Sequence, residues 1–467
     1  MDEHREISEL ETIIELLRAE NLLLKARIEQ LEHQLNLNSK NSGKPPSSDG
    51  LGKENAIPKS LLKNRKKNKA ARKTRKNQNN LEQVENPDHI IECQADNCSN
   101  CATSLASVAS DKHFKRQVFD LPKQNFAVTE YRIHRKICPC CHVKNYGQAP
   151  NYVKAYTQYG PNFGAFCIYL NARQFIPYNR IAELSKELFG REVSEQVIIN
   201  FINFFGKTCI KHLPIIEENV RDSKVKHADE TGLRVAGSLH WLLLTTTRLW
   251  TKYWVSKKRG DVMRDMTGIL SRDCFSPYDS YNPAAAMALC NAHLLRDLES
   301  VKTISGNEWA GKMQEILWLM NDLKHRYLHY NKEIPENLIK LAVKRYDALI
   351  FEQYKIISTP PPNGAKVKKN KLEQKAMALI NRLMHRKDDI LRFLLEKDAP
   401  FTNNKGERDL RMNKVRQKIS GCFRTLDGAH IFAAIRSVIV TLINQGADIL
   451  DSVSSAIAYK EIIFPAA

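Results

Sequence analysis

The sequence predicts a multidomain α/β protein whose sheet-containing core follows a coiled coil, a metal-binding module and a helical region. The chain has 467 residues, which exceeds what one ordinary hydrophobic core organises. A heptad pattern occupies its N-terminus and stops near residue 37. After residue 222, strand-like segments lead into helical ones, as in a sheet with covered faces.

The charge balance predicts a polyanionic partner. Lys and Arg total 72 against 52 for Asp and Glu, so the formal net charge is +20. Such an excess favours nucleic acid or an anionic membrane. We expect no membrane association, because no apolar stretch approaches the ~20 residues that span a bilayer. The opening MDEHREISEL lacks the hydrophobic region of a signal peptide, so a cytoplasmic protein is expected.

Residues 1–37 are predicted to form a coiled coil that makes the protein a homodimer or a higher oligomer. β-branched residues at heptad position a with Leu at d favour two parallel strands, and the single Asn at a fixes the register. A helix packed on its own domain is the alternative. The a positions are Ile7, Ile14, Asn21, Ile28 and Leu35, and the d positions are Leu10, Leu17, Leu24 and Leu31.

Residues 38–85 combine NSKNSGKPPSSDG with a run of basic residues. This composition cannot bury a core, so we expect a disordered basic linker. We predict that it grips DNA phosphates without sequence preference, a solvated linker being the alternative. The residues assigned to these contacts are Lys66, Lys67, Arg72 and Lys73.

Residues 86–150 are predicted to form a zinc-binding module. Six of the eleven cysteines lie between Cys93 and Cys141, and they include two C-x-x-C pairs with the alternating segment VTEYRIHRKI between them. Two such pairs are typical of a tetrahedral structural Zn²⁺ site. Cys93, Cys140 and His142 are competing ligands, and the other five cysteines are expected to be buried thiols. The predicted ligands are Cys98, Cys101, Cys138 and Cys141.

Residues 151–221 are predicted to be helical. NRIAELSKELFG is amphipathic and ends at Gly190, and Ser194 is placed to cap a helix beginning EQVIINFINFFGK. Two helices joined by a short Gly-containing turn could read DNA as a helix-turn-helix. A hairpin that only packs within the protein is the commoner alternative.

Residues 222–305 change to strand character. SKVKHADETGLRVAG and SLHWLLLTTTRLWTKYWVS predict a meander of three strands, and the apolar pair Ile269–Leu270 predicts a short strand that leads to Asp273. A further strand, AAAMALCN, precedes a helix, AHLLRDLESV. We expect Asp229 and Asp273 at the ends of adjacent strands.

A third acidic residue, Glu407, begins a strongly basic helix. Carboxylate oxygens are the ligands that Mg²⁺ prefers, and two ions about 4 Å apart promote phosphoryl transfer. From spacing alone, ordinary solvated or salt-bridged carboxylates remain the favoured interpretation of Asp229, Asp273 and Glu407. The basic residues predicted to lie along DNA backbone are Arg408, Arg411 and Lys414.

Three blocks resemble the insertion-sequence 66 family of bacterial transposases. They are HADETGLRVAG with HWLLLTTT, GILSRDCFSPYDSY with ALCNAHLLRDLE, and TNNKGERDLRMNKVRQKISGCFRT with GAHIFAAIRS. The resemblance runs from about residue 10 to 445. It implies a ribonuclease-H-like catalytic core in which Asp229, Asp273 and Glu407 hold two Mg²⁺ or Mn²⁺ ions. A helical insertion at 306–398 would delay the last part of the core, 399–445, which a C-terminal tail at 446–467 follows.

The resemblance also implies a function: metal-dependent cleavage of element ends and strand transfer to target DNA, sometimes with small accessory proteins of the same element. Two alternatives stay open, a non-catalytic or decayed DNA-binding regulator and a nuclease that does not join strands. Asp279 and Glu230 are acidic neighbours ranked below Asp273 and Asp229. Cys290-x-x-His293 recurs in the family, and a buried thiol with a core or supporting histidine is favoured over a second zinc site.

Overall fold

A computed structural model describes residues 83–97, 99–110, 115–121, 125–305, 307–359 and 371–466. The predicted coiled coil, most of the basic linker with its four assigned DNA contacts, and Cys98 lie outside these residues. The chain divides into two compact units, Leu51–Ala127 and the remainder from Val128 together with Met1–Gly50.

The described part of Leu51–Ala127 contains one isolated bridge and hydrogen bonds between its two ends. Asn97 and Ser104, which flank Cys101 in the sequence, form an isolated antiparallel bridge. Val84 donates its N–H to the Gln117 side chain at 2.8 Å and accepts from the Gln117 amide at 2.7 Å. Neither a helix nor a multi-residue strand occurs among the described residues of this unit.

The larger unit begins with a small hairpin and three helices. The turn of the hairpin carries the second group of cysteines, and α2 ends as predicted at Gly190, whose φ of 69° suits glycine. Ser194 precedes α3 as predicted, although its side chain makes no capping hydrogen bond. The elements are β1 (Arg135–Ile137), β2 (Lys144–Tyr146), α1 (Pro161–Ile168, continued by a π-helical turn, Tyr169–Arg173), α2 (Tyr178–Phe189) and α3 (Glu195–Asp222).

A five-stranded mixed sheet forms the centre of this unit, which confirms the predicted α/β class. Its order is β5-β4-β3-β6-β7; β3, β4 and β5 are antiparallel, whereas β6 and β7 run parallel to β3. The predicted meander and the two later short strands are all present. They are β3 (Val225–Val235), β4 (Ser238–Thr246), β5 (Thr251–Ser256), β6 (Ile269–Arg272) and β7 (Ala286–Leu289), with the short helix α4 (Pro277–Tyr281) before β7.

Five helices then build a separate hydrophobic core beside β7. Leu294 and Leu298 of the first helix pack with apolar residues of the other four, including Trp309, Tyr346 and Ile390. The insertion predicted to be helical is confirmed as helical, and its last two helices are separated at Arg386. The helices are α5 (Asn291–Ser305), α6 (Glu308–His329), α7 (Glu336–Ser358), α8 (Lys371–His385) and α9 (Lys387–Leu395).

The C-terminal helices cover one face of the antiparallel strands. Leu233, Leu242 and Tyr253 on that face pack against Leu410 and Phe432 of the helices above them. These helices are α10 (Asn404–Ser420), α11 (Leu426–Asn444) and α12 (Ile449–Tyr459). Residues 446–467, expected as a tail, thus contain a helix, and it packs on α1 through buried residues such as Val453.

Two further expectations need correction. Helix α11 is long and apolar enough to cross a membrane by composition, so the expectation that no segment approaches that length is wrong; most of the helix is buried, which is typical of a core helix. Among the five cysteines outside the predicted zinc module, Cys167, Cys209 and Cys290 are buried as expected, whereas Cys274 and Cys422 are exposed.

Candidate active site

Asp229 and Asp273 lie level with each other on neighbouring strands. In the parallel pairing of β3 with β6, His227 stands opposite Ser271. Continuing that register by two residues brings Asp229 opposite Asp273, the first residue after β6. Asp229 is inside β3 rather than at its end, because β3 continues beside β4 as far as Val235 after its parallel pairing has stopped.

The buried side chain of Asn403 ties the start of α10, and with it Glu407, to β3 next to Asp229. The Asn403 amide donates to the Ala228 carbonyl at 2.7 Å, and its oxygen lies 3.0 Å from Nδ1 of His227. Glu407 donates its own N–H to the Asn403 carbonyl, so it stands one helical turn later. A Cβ on Gly406 would come within 3.1 Å of the Asn403 amide oxygen, so the glycine leaves that side chain room.

The electrostatics of these carboxylates suit divalent cations. Burial, followed by the neighbouring charge of Glu230, raises the pKa of Asp229 well above its usual range, and Asp273 and Glu407 add to the rise. Asp273 and Glu407 remain accessible, with 28% and 27% of their side chains exposed. A hard cation takes oxygen ligands, so a cation bound by these carboxylates would reduce the repulsion between their negative charges.

The carboxylate of Glu230, the acidic neighbour ranked below Asp229, is hydrogen-bonded to other side chains of the protein on both oxygens. Its side chain is only 1% exposed. Arg259 donates to one carboxylate oxygen from Nε at 2.9 Å and from Nη2 at 2.7 Å, and the Tyr278 hydroxyl donates to the other at 2.6 Å. A carboxylate satisfied in this way has a structural role rather than that of a cation ligand.

The carboxylate of Asp279, the acidic neighbour ranked below Asp273, is also paired with other side chains of the protein. It accepts hydrogen bonds from Arg272, whose side chain is fully buried, and from both terminal nitrogens of Arg386 at 3.0 and 3.2 Å. The ranking of the two aspartates is therefore consistent with their surroundings, since the cationic group nearest to the Asp273 carboxylate among the described residues is Arg259, at 3.8 Å.

Two arginines that sequence reasoning missed stand at opposite ends of the carboxylate cluster. Nη2 of Arg259 lies 3.8 Å from Asp273, and Nη2 of Arg296 lies 3.9 Å from Glu407. Arg259 also stacks on the Phe275 ring, 4.2 Å from its centroid. Arg259 comes from a polar loop with several basic residues, so nothing in its local sequence marked it. Arg296 is recognisable only as the residue one helical turn after His293.

Cys290 and His293 also border the cluster. The Cys290 sulfur lies 3.7 Å from Oε1 of Glu407, and Nδ1 of His293 lies 3.5 Å from the same oxygen. Burial raises the pKa of Cys290 to about 11, while burial and then Arg296 lower the pKa of His293. The structure thus brings both residues of the C-x-x-H pair to a predicted cation ligand.

Helix α10 carries the three basic residues that were predicted to lie along DNA backbone. Arg408 and Arg411 are exposed, as a role against DNA backbone requires. Lys414, predicted to do the same, is exposed as well, and it also donates to the Gly232 carbonyl of β3 at 3.1 Å. Its side chain is long enough to bridge helix and strand, which the sequence pattern did not reveal.

The predicted zinc ligands belong to two different compact units of the chain. Cys138 and Cys141 lie in the β1–β2 turn, where backbone N–H groups of Cys141 and then Cys140 lower the pKa of the Cys138 thiol. Cys101 belongs to the other unit. The residue after each pair, His142 or Ala102, has a positive φ, 57° and 56°, a geometry shared by the two turns. Zinc binding by this set stays a prediction.

Comparison with known proteins identifies the region that carries this site. A family model described as Transposase IS66 family matches residues 156–431, more than half of the chain and every residue of the carboxylate cluster. A second model, described as a family of unknown function (DUF6444), matches residues 2–81. A search of curated proteins gives no match.

Proposed function

Because this chain belongs to the Transposase IS66 family, we propose that it cleaves the ends of an insertion element and joins them to target DNA through a site formed by Asp229, Asp273 and Glu407. The observation that supports this assignment is that Asp229 and Asp273 are level on neighbouring parallel strands, while the charges of Asp273 and Glu407 both raise the pKa of Asp229. The family supports the transposase function, and the local geometry supports the assignment of residues.

The core is proposed to be ribonuclease-H-like. Support comes from the strand order, in which three antiparallel strands are followed by two short strands parallel to the first. Support also comes from the two aspartates on the central strand and its parallel neighbour, with the glutamate supplied by a later helix.

The proposed chemistry is a metal-assisted transesterification. Asp229, Asp273 and Glu407 would hold two divalent cations, Mg²⁺ or Mn²⁺, which supply activation of the attacking oxygen and stabilisation of the leaving oxygen. Asn403 positions Glu407 relative to β3, so the carboxylates are arranged before DNA binds. The strand is first cut to leave a 3′-hydroxyl, which then attacks target DNA without a covalent protein–DNA intermediate.

DNA is held by basic residues on two sides of this cluster. Arg296 is partly exposed and only loosely paired with Glu407, so it can turn to phosphate oxygens of the strand being cut, whereas Arg259 is held in place by its hydrogen bonds to Glu230. Arg408 and Arg411 on the exposed face of α10 are proposed to contact backbone beyond it. Such contacts position the duplex without reading its sequence.

Further parts of the proposal lie outside the carboxylate cluster. We propose structural Zn²⁺ on Cys98, Cys101, Cys138 and Cys141, and a homodimer or higher oligomer through residues 1–37. The basic linker is proposed to grip DNA nonspecifically, and the protein to act in the bacterial cytoplasm at the nucleoid. Small accessory proteins of the same element are proposed partners.

The test is a cleavage and joining assay on DNA that carries the element's own ends, in Mg²⁺ or Mn²⁺ and in EDTA. Wild type should give metal-dependent products, whereas Asp229→Asn and Glu407→Gln should bind DNA and give none. Glu352→Gln removes an exposed carboxylate on α7 and serves as the matched control. Full activity of Glu407→Gln would show that the assignment is wrong.

The same assay separates the alternatives. DNA binding by wild type without products, with accessory proteins present, indicates a regulator or a decayed transposase. Metal-dependent cleavage without joining of a pre-cut 3′-hydroxyl end indicates a nuclease.

A further inference from the structure

Cys290, His293 and Glu407 direct a sulfur, a nitrogen and an oxygen atom toward one point. Their ligand atoms all lie within 4.8 Å of one another. The sulfur is 3.7 Å and the imidazole nitrogen 3.5 Å from Oε1 of Glu407. A tetrahedral zinc site with ordinary bond lengths has S···O and N···O edges of about 3.6 and 3.4 Å. The two measured edges therefore match those of a coordinated cation.

The Cys290 thiol can donate a hydrogen bond to Glu407 at 3.7 Å, but the histidine distance is poor for direct hydrogen bonding. Nδ1 of His293 is buried and has no hydrogen-bond partner among the described residues. At 3.5 Å it is too far from the glutamate for a good hydrogen bond. A buried nitrogen without a partner is costly, and a cation between the three atoms would satisfy it.

Neighbouring groups hold the sulfur in place for such a role. The Asn403 N–H donates to the Cys290 sulfur at 3.1 Å, which stabilises negative charge on that atom. Cys290 directly precedes α5, where the partial positive charge of the helix N-terminus partly offsets the burial that raises the pKa of this thiol. Arg296, 3.9 Å from Glu407, is a competing cation, but more than a quarter of its side chain is exposed, so it can move into solvent.

We propose that Cys290, His293 and Glu407 bind a thiophilic divalent cation of the Zn²⁺ or Cd²⁺ class, with a fourth position open to water or a phosphate oxygen. Sulfur and imidazole nitrogen select this class, whereas Mg²⁺ requires oxygen ligands. On coordination the thiol proton leaves to solvent, so one proton is released for each ion bound. This site is separate from the predicted zinc module.

Because Glu407 belongs to both sites, the soft cation should withdraw it from the carboxylate cluster. A thiophilic cation is therefore expected to inhibit strand cleavage even when Mg²⁺ is in excess. This consequence rests on the proposed function, whereas binding of the cation itself does not.

Cation binding is tested by titrating the full chain with Cd²⁺ and following the ultraviolet charge-transfer absorption of Cd²⁺–thiolate bonds. Wild type should bind one more Cd²⁺ than Cys290→Ser, and the absorption at saturation should be correspondingly larger. Cys422→Ser removes an exposed cysteine outside the cluster and should behave as wild type. Equal Cd²⁺ stoichiometry and absorption for wild type and Cys290→Ser would overturn the proposal.

A second variant guards against a folding defect in Cys290→Ser. His293→Gln keeps the thiol, and its affinity for the additional Cd²⁺ should fall by at least about tenfold. Unchanged affinity in His293→Gln would remove the histidine from the site and overturn the three-ligand assignment. Thermal unfolding without metal is measured for each variant. If Cys290→Ser unfolds at a much lower temperature than wild type, the comparison of His293→Gln with wild type decides the assignment.

Inhibition is measured as the ratio of cleavage with and without Cd²⁺ within each variant, at fixed Mg²⁺. The Cd²⁺ concentration that halves activity should rise at least about tenfold in Cys290→Ser and stay unchanged in Cys422→Ser. If no variant cleaves DNA but Cd²⁺ binding depends on Cys290, the proposed function fails and the cation site stands. If Mg²⁺ supports cleavage but Cys290 does not affect Cd²⁺ binding, only the cation site fails.

Discussion

Replacing Asp279 by Ala should destabilise the protein far more than replacing Asp273 by Asn. Asp279 neutralises Arg272, whose side chain is 0% exposed, and also pairs with Arg386. Removing one partner of a buried ion pair costs about 3–5 kcal/mol, because a buried charge is left uncompensated. Since 32% of the Asp279 side chain is exposed, we expect the lower end, about 3 kcal/mol.

Asp273 has the opposite character. It is partly exposed, its nearest ion-pair partner is Arg259 at 3.8 Å, and its charge adds to the repulsion felt by Asp229. Asp273→Asn should therefore leave stability unchanged or slightly raised in the absence of metal. Strand cleavage should nevertheless be lost.

Differential scanning fluorimetry in EDTA measures the contrast. A loss of about 3 kcal/mol corresponds to a decrease of roughly 6–12 °C in the unfolding midpoint of a domain of 150–250 residues. An unchanged midpoint for Asp279→Ala would refute the argument that this carboxylate compensates a buried guanidinium. A decrease of the same size for Asp273→Asn would refute the separation of the two aspartates into structural and catalytic roles.

Three other perturbations test the surroundings of the carboxylate cluster. Burial and an acidic neighbour raise the pKa of Asp229, so its stabilising contribution is present below about pH 3.9 and lost as pH rises through the raised folded-state pKa. In EDTA, Asp229→Asn should thus unfold at a higher temperature than wild type at pH 7, and the difference should vanish near pH 4; a difference independent of pH would contradict this. Asn403→Ala leaves buried partners unsatisfied and should cost about 1–3 kcal/mol and slow cleavage, whereas the exposed Asn404→Ala should do neither. Removing Arg408 and Arg411 together should lower the salt-dependence slope of DNA binding by about 2, and an unchanged slope would exclude both from the phosphate contacts.

Local patterns predicted most of the described elements of the core. Alternation around Asp229 and apolar runs near Ile269 identified the strands, and Gly190 marked the end of α2. The helix α12 was missed although a signal was available: Asp448 accepts from the Asp451 N–H at 2.9 Å, as an N-cap residue does, ahead of an apolar segment. The error was to treat the last residues as a tail without examining that cap.

The site was predictable only with the family resemblance, because its construction depends on contacts between distant residues. His227 and Asn403, which fix α10 to β3, are 176 residues apart. Arg259 reaches Glu230 across 29 residues from a loop with no distinctive pattern. Arg386 between α8 and α9 is another example, since its side chain pairs with Asp279, 107 residues earlier. Periodicity and capping rules describe neighbours in sequence and do not address such pairs.

The helices between β7 and α10 also set the timing of synthesis. Glu407 follows Asp273 by 134 residues. At about 5–20 residues per second, a ribosome adds it roughly 7–27 s after the second aspartate. A chain still being made therefore holds both strand aspartates while the glutamate has yet to be translated. Under the proposed function, a polypeptide that terminates within these helices contains all five strand segments but lacks the third carboxylate and the helices that cover the antiparallel strands, so it should not cut DNA.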